Sequence, residues 1–487
     1  MTVILSGQKI MFKEISWPFL IPIIAVFAFV NVYSFSTLTT KPAVWYDEGI
    51  NIELARNFYE FGKLDLVVEP LTFSGRGANI GSTGYPVTIP LAGFFKAFGF
   101  GLAQARIYML LWINIFLACL FYFLKKTWDT RTALIILLLV ASFPSFYANG
   151  RSVMGEIPGL AFILLALVWS FYKKNDFIAG VFLGLAVVSK PSVYAFFVPA
   201  LVLLFFLEKE KFFRKTIQLG LGAFVPFLFW AAVYPEVFSS FSVWQNLKSH
   251  FINPYAAEAF TVIGNIQNNL ASFLYSPTLI YFSLFAAVIA LAGFLNRDFY
   301  KENRAVFAVF GFYSLFQLFF FLKSLGYFRY LIAVQVFIFI LLVPSVGIVM
   351  ERLFSQRKYA DALAASFFAL IILFQTAYLF TKADLFYSSE IQETFDYIQE
   401  NFSESSVGVI NLPPLASLVL ADKKFQTIST YGLRDLGANP LSFEREKLPG
   451  IIVFDDSGFL TEEQKIKLAE FYGLNKAVGG IMIYEKR

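Results

Sequence analysis

Cysteine and histidine are almost missing from this chain, with one of each in 487 residues. The single cysteine, Cys119, lies inside an apolar run. No disulfide can form within the chain, and the redox compartment cannot be read from cysteine usage. Charge is scarce too. Charged residues make up 15% of the sequence and hydrophobic residues 58%, against roughly 25% and 45–50% in soluble domains. That balance excludes an ordinary water-soluble globule, because the apolar surplus must face lipid. The formal charge of +5 would mark an acidic partner in a soluble protein. Here the Lys and Arg residues gather in short loops between apolar runs, which is a topology signal and not a nucleic-acid footprint. No internal repeat of fixed period is present. A cleavable signal peptide is not evident either: Lys9 and Lys13 precede an apolar stretch, Trp17 to Phe35, that is too long for a leader and lacks a small-residue cleavage site.

What the sequence has instead is a succession of apolar runs, many of them within the roughly 17–25 residues that cross a bilayer as a helix. About eleven spans are expected: Trp17–Thr37, Ala103–Leu124, Thr132–Ala148, Ile157–Tyr172, Phe177–Ser189, Val193–Leu207, Thr216–Tyr234, Ala271–Leu295, Ala305–Leu322, Tyr327–Val349 and Tyr359–Phe380. The fourth to sixth are short for full crossings. Short cytoplasmic loops should be rich in Lys and Arg. One set of loops carries Lys9 and Lys13, then Lys125, Lys126 and Arg131, then Lys173 and Lys174, then Lys209, Lys211, Arg214 and Lys215, then Arg297, Lys301 and Arg304, then Arg352, Arg357 and Lys358. This set is expected inside. The alternate set has only Arg151, Lys190 and Lys323 in its short members, plus the long segments Leu38–Leu102 and Pro235–Leu270. It is expected outside, together with the region from Phe386 onward. The reading is an integral, multi-pass plasma-membrane protein with a cytoplasmic N-terminus.

The first outer segment is strongly patterned. From Asp47 to Phe61 the apolar residues Ile50, Leu54, Phe58 and Phe61 recur at helical spacing, Glu53, Arg56, Asn57 and Glu60 take another face, and Gly62 supplies a stop. This predicts a helix lying on the membrane surface. A second amphipathic piece, Tyr85–Phe98, follows the Gly-rich stretch Ser74–Gly84. Beyond Phe386, helical patterns (Glu390–Asn401, Thr461–Tyr472) alternate with short apolar strands (Val407–Ile410, Ile451–Phe454, Ile481–Tyr484). The fold class expected is thus an α-helical polytopic membrane unit over residues 1–385, with its patterned outer loop at 38–102, plus a small extracytoplasmic α/β domain over 386–487.

With this topology, rare charged residues meet on the outer face: Asp47 and Glu48, Arg106, Arg151 and Glu156, Lys190, His250 and Arg329. Any one of them can be a snorkelling anchor. Asp47 can be a helix N-cap and Glu48 a first-turn acid; Glu156 can be the partner of Arg151 or a first-turn acid before Pro158. The functional alternative is a carboxylate at a partly dry boundary, which suits a general base. Convergence of both signs from separate loops favours it.

The residues that carry a resemblance are Trp45-Tyr46-Asp47-Glu48 with Ala55-Arg56 and Gly62, Gly84-Tyr85-Pro86 with Phe98-Gly99 and Arg106, Gly150-Arg151 to Glu156-Ile157-Pro158, Ser189-Lys190-Pro191, and Arg329-Tyr330-Leu331. In order, spacing and outer location they resemble the polytopic glycosyltransferases of the C-type fold that use lipid-phosphate sugars, including protein O-mannosyltransferases and the aminoarabinose transferases of lipid A. The likeness runs from Ile15 to Phe380. It implies transfer, with inversion at the anomeric carbon, of a sugar from a polyprenyl-phosphate donor to a glycolipid, polysaccharide or protein acceptor. By position it assigns the first-loop acid to Asp47 and the second to Glu156. Glu48, Arg56, Tyr85, Arg106, Arg151, Lys190, His250, Arg329 and Tyr330 become substrate-binding residues, with the cations steadying the departing phosphate. Some members of the family hold a metal near the catalytic loop. Glu69 and His250 are the residues that could form such a site for a divalent metal, but a lone outer-loop histidine is more often an ordinary surface residue, and no metal ligand is assigned.

Two other classes compete. A secondary transporter also buries charges in a helical bundle, but it favours inverted repeats and midplane sites. A non-catalytic envelope assembly protein needs no carboxylate at Asp47.

Overall fold

The computed structural model describes residues 17–77, 82–234, 262–324, 326–382, 387–430, 433–437, 439–455 and 460–487. Lys9, Lys13, His250 and most of the expected outer segment Pro235–Leu270 lie outside the described residues. Among the described residues, eight helices are long and apolar enough to cross a membrane: Phe19–Ser36, Leu102–Thr127, Pro191–Glu208, Phe212–Val233, Pro277–Leu295, Arg304–Lys323, Phe328–Leu353 and Arg357–Thr381. The pair Thr130–Ser142 and Pro144–Gly150, a broken span or a re-entrant loop, is apolar enough to make a ninth and is bent by 68° where Pro144 cannot donate to the preceding turn. The two remaining expected spans are the shorter apolar helices Glu156–Tyr172 and Asp176–Ser189. The protein is therefore a multi-pass helical membrane protein. The expected run Ala271–Leu295 begins too early. Pro277 starts a new helix behind the cap of Ser276, whose Oγ accepts from Leu279 N at 3.4 Å, and the preceding residues belong to a separate helix, Val262–Tyr275.

Lipid-facing sides of the spans expose Ile21, Leu221, Phe224, Leu284, Leu370 and Phe374. The bundle interior is close-packed, with Phe310 and Phe337 stacked at 4.0 Å. Between the first two spans sits the patterned unit. Helix Tyr46–Phe61 ends at Gly62, the hairpin of β1 (Val67–Glu69) and β2 (Thr72–Phe73) follows, and helix Tyr85–Phe98 packs back on the first through Ile52, Ala55, Val87 and Leu91.

The C-terminal region is a six-stranded sheet in the order β5-β4-β3-β6-β8-β7, made of β3 (Val407–Ile410), β4 (Lys424–Thr430), β5 (Leu433–Leu436), β6 (Ile451–Phe454), β7 (Tyr472–Val478) and β8 (Ile481–Lys486). Central β3 runs parallel to β4 and β6, and the remaining pairs are antiparallel. Strand alternation sorts the core into two layers. Val407, Val409 and Ile451 meet Ile391 and Ile398 of helix Glu390–Asn401, while Ile410, Ile452 and Phe454 meet Leu468 near the end of helix Glu462–Phe471. Strands β4, β5 and β7 are additions to the expected set.

Candidate active site

The helix Tyr46–Phe61 starts at Trp45, whose N–H donates to Glu48 Oε2 at 3.3 Å. Glu48, not Asp47, thus closes the first turn, and Asp47 is left to point elsewhere. Its Oδ2 lies 2.9 Å from Arg329 Nη1, with both side chains only partly exposed. The Arg329 guanidinium is also flanked by the rings of Trp45, Tyr327 and Tyr330, at 5.6, 5.2 and 5.7 Å, a cation–π enclosure that fixes its plane.

The second acid sits deeper. Glu156 opens helix Glu156–Leu167 and is 0% exposed; Lys190 Nζ stands 3.6 Å from its Oε1 and is 2% exposed. Neither Glu156 carboxylate oxygen has a hydrogen-bond partner among the described residues. Lys190 arrives there because Pro191 ends helix Asp176–Ser189. The backbone before it presses against Gly155, where a β-carbon would stand 2.6 Å from the carbonyl carbon of Ser189.

These two ion pairs lie on one closed circuit of contacts. Gln317 Nε2 donates to Tyr330 O (3.0 Å) and Ser192 O (3.3 Å), tying the residue after Arg329 to the residues after Lys190. Thr83 Oγ1 accepts from Gly155 N and from Asn51 Nδ2, both at 3.1 Å, and Asn51 also donates to Val153 O at 2.7 Å. Asn51 is one helical turn beyond Asp47. The helix Tyr46–Phe61, the loops at Thr83 and at Val153–Gly155, and the starts of three further helices thereby link Asp47, Arg329, Lys190 and Glu156 in one network. Gln317, Thr83 and Asn51 were invisible as site residues in the sequence. Only the i+4 spacing of Asn51 from Asp47 could have marked it.

Other residues expected to face substrate are placed differently. Glu48 and Arg106 are both 0% exposed and satisfy each other: Arg106 Nε donates to Oε1 at 3.0 Å and Nη2 to Oε2 at 2.9 Å, Arg106 Nη1 reaches Leu38 O, and Val153 N reaches Glu48 Oε1. Arg151 is buried against the first span, donating to Thr37 Oγ1 and to the carbonyls of Ser34 and Thr37. Burial, and then the charge of Arg106 nearby, pull its guanidinium down to about 10, so it stays a cation at neutral pH. Arg56 donates to the carbonyls of Ser417, Leu418 and Val419, stacks on Phe100 at 4.5 Å and pairs with Glu60; it meets the C-terminal sheet unit. Tyr85 packs on Phe229 and donates to Pro226 O, and burial pushes its hydroxyl up to about 12. The Tyr330 side chain is buried against Phe320. Glu69 lies on β1, and His250 is outside the described residues. Among the described residues, no group of three or more His, Cys, Asp or Glu side chains could hold a metal ion.

Residues 88–234 match the family model described as dolichyl-phosphate-mannose-protein mannosyltransferase. No curated protein matches the chain in sequence. Among solved structures, ArnT from Cupriavidus metallidurans bound to undecaprenyl phosphate is similar with a TM-score of 0.59 at 13% identity, over 96% of this chain and 98% of that one. The Archaeoglobus fulgidus oligosaccharyltransferase is similar in its complex with Zn and sulfate (TM-score 0.52, 13% identity, 96% and 73% covered). The same protein tethered to an acceptor peptide gives a TM-score of 0.50 at 11% identity, with 94% and 72% covered. The chain has this fold, that of the C-type polytopic glycosyltransferases.

Proposed function

We propose that this chain is a membrane glycosyltransferase that moves a hexosyl or pentosyl unit from a polyprenyl-phosphate carrier to a hydroxyl acceptor on the outer face of the membrane, with inversion at the anomeric carbon. The observation that supports the reading is the circuit above, which links two acids and two cations from separate elements in this fold. Asp47 takes the acceptor proton as the acceptor oxygen bonds to the anomeric carbon. The bond from that carbon to the lipid phosphate breaks, and the electron pair leaves on the phosphate. Leaving raises the phosphate from one negative charge to two, so fixed cations stabilise departure and no acid is needed. Arg329, whose Nη1 already stands against the Asp47 carboxylate, suits phosphate oxygens bidentately. Glu156 and Lys190, dry and hydrogen-bonded by little else, suit an acceptor or sugar hydroxyl that supplies the missing partners. Glu48, Arg106 and Arg151 frame the site. The C-terminal sheet unit lies outside with it, and the N-terminus inside, as the loop charges require.

The test is transfer of label from a panel of polyprenyl-phosphate sugars by purified protein in liposomes. Acceptor-dependent transfer from one of them is the expected result. Gradient-driven solute uptake without donor turnover would replace this reading with a transporter.

A further inference from the structure

The helix that carries Asp47 has two working faces. Tyr46, Gly49, Glu53 and Arg56, spaced 3, 4 and 3 residues apart, form one stripe at 3.6 residues per turn. Each of them meets the C-terminal sheet unit. Tyr46 Oη donates to Asn411 Oδ1 at 2.9 Å. Glu53 pairs with buried Lys424 at 2.6 Å and accepts from Gln426 Nε2 at 2.8 and 3.0 Å. Arg56 collects the carbonyls of Ser417, Leu418 and Val419. At Gly49 the approach is backbone to backbone: a β-carbon there would stand 2.5 Å from Pro413 C and 2.6 Å from Pro414 Cα. The roughly opposite stripe holds Asp47, Glu48 and Asn51, which face Arg329, Arg106 and Val153.

From this two-sided arrangement, and resting on the function proposed above, we infer that the C-terminal sheet unit is a positioning element. Its Asn411–Pro414 turn sets the depth of the Asp47 helix, with Tyr46 and Gly49 as positioning residues. The turn is itself fixed, since Asn411 N donates to Thr427 O of β4 at 2.8 Å. A proline pair offers a stiff stop, and an unbranched glycine surface lets the stop seat directly on the helix. The seat lies on the stripe facing the C-terminal sheet unit, roughly opposite the stripe of Asp47, so its loss should move the base without removing a donor contact.

The experiment measures kcat and donor KM of the full-length protein in liposomes, with thermal unfolding in parallel. Gly49→Ala cannot seat on Pro413–Pro414 and should lower kcat by roughly 10²-fold, the scale of a base misplaced by about 1 Å. Tyr46→Phe removes one hydrogen bond and should lower kcat by about two- to tenfold. In both, donor KM should stay within about twofold, because a lost Arg329 contact is what would raise it. If Gly49→Ala fails to fold, Tyr46→Phe still decides. Unchanged kcat in folded Tyr46→Phe, or a loss that appears equally in donor KM, overturns the inference while the function reading stands. No transfer by the wild-type protein overturns both.

Discussion

Replacing Asp47 by asparagine removes one charge and almost nothing else. The side chain keeps its size, the first turn is closed by Glu48, and no side-chain cap depends on residue 47. What the fold loses is the 2.9 Å pair with Arg329, in which the two side chains are 19% and 13% exposed, and a favourable acid in the first helical turn. Partly exposed pairs contribute about 0.2–1 kcal/mol, and a first-turn acid about 0.3–1 kcal/mol. The stability cost should therefore stay near 1–2 kcal/mol at most. A general base contributes roughly 10²–10⁴-fold in rate, or about 3–5 kcal/mol of barrier. The two effects separate cleanly when initial rates at saturating donor and acceptor are compared with a thermal unfolding curve of the same preparation. Asp47→Asn should unfold nearly as the wild type does and transfer at least about a hundredfold more slowly, and Glu156→Gln should lose less. Near-normal turnover in Asp47→Asn with a dead Glu156→Gln would make Glu156 the base. Activity in both would remove the two-carboxylate site.

Arg329→Ala should raise donor KM by roughly 10–100-fold, the worth of charged hydrogen bonds to a phosphate, and Arg329→Lys by less, because an ammonium acts as a point charge; equal donor KM in the alanine variant would exclude that role. Arg106→Ala strands Glu48 where neither side chain is exposed, so it should cost about 3–5 kcal/mol and appear as lost folded protein in size-exclusion chromatography, not as a selective change in donor KM. Lys424→Met should lower the unfolding midpoint by stranding Glu53, and the double variant Glu53→Gln/Lys424→Met should recover most of it; additive losses would contradict the pairing. A compartment-specific reporter fused after Arg487 should be active only outside the cytoplasm, and cytoplasmic activity would place Arg106 and Arg151 on the wrong side for the proposed site.

The membrane helices were legible because lipid imposes a long, uninterrupted apolar run, and no other context produces so many. Two expected spans, Ile157–Tyr172 and Phe177–Ser189, are helices too short to count as full crossings; at two other places a proline was the reason the reading slipped. Pro144 bends one span and Pro277 starts another, while an average over apolar residues does not register either. The helix Tyr46–Phe61 was legible from its period and from Gly62, but not its setting: the polar face expected on a membrane surface is buried, with Glu53 and Arg56 bonded to the C-terminal sheet unit; helix Glu390–Asn401 coincides with the expected range. Strand β4 was not. Its residues 424, 426 and 428 share one face, and the first two are the polar Lys424 and Gln426, buried against Glu53. Hydrophobic alternation cannot report a strand whose inner face is charged and paired.

The site shows the same limit in a sharper form. The sequence marks which rare charges are expected on one face, because the alternation of loop charges decides that. It does not say which of them neutralise each other, since Asp47 with Glu48, and Arg151 with Glu156, are neighbours whose side chains leave in different directions. Burial and bonding separate them. Glu48 accepts from Arg106, Trp45 N and Val153 N and has nothing left to offer a ligand. Arg151 is committed to three oxygens of the first span. Glu156 is equally buried, yet its carboxylate faces one lysine at 3.6 Å and no hydrogen-bond donor among the described residues. A buried carboxylate left that way costs stability unless a ligand or water completes it. On the proposed function, the Glu156 carboxylate, both of whose oxygens are unmet among the described residues, is where a substrate hydroxyl has something to gain by binding.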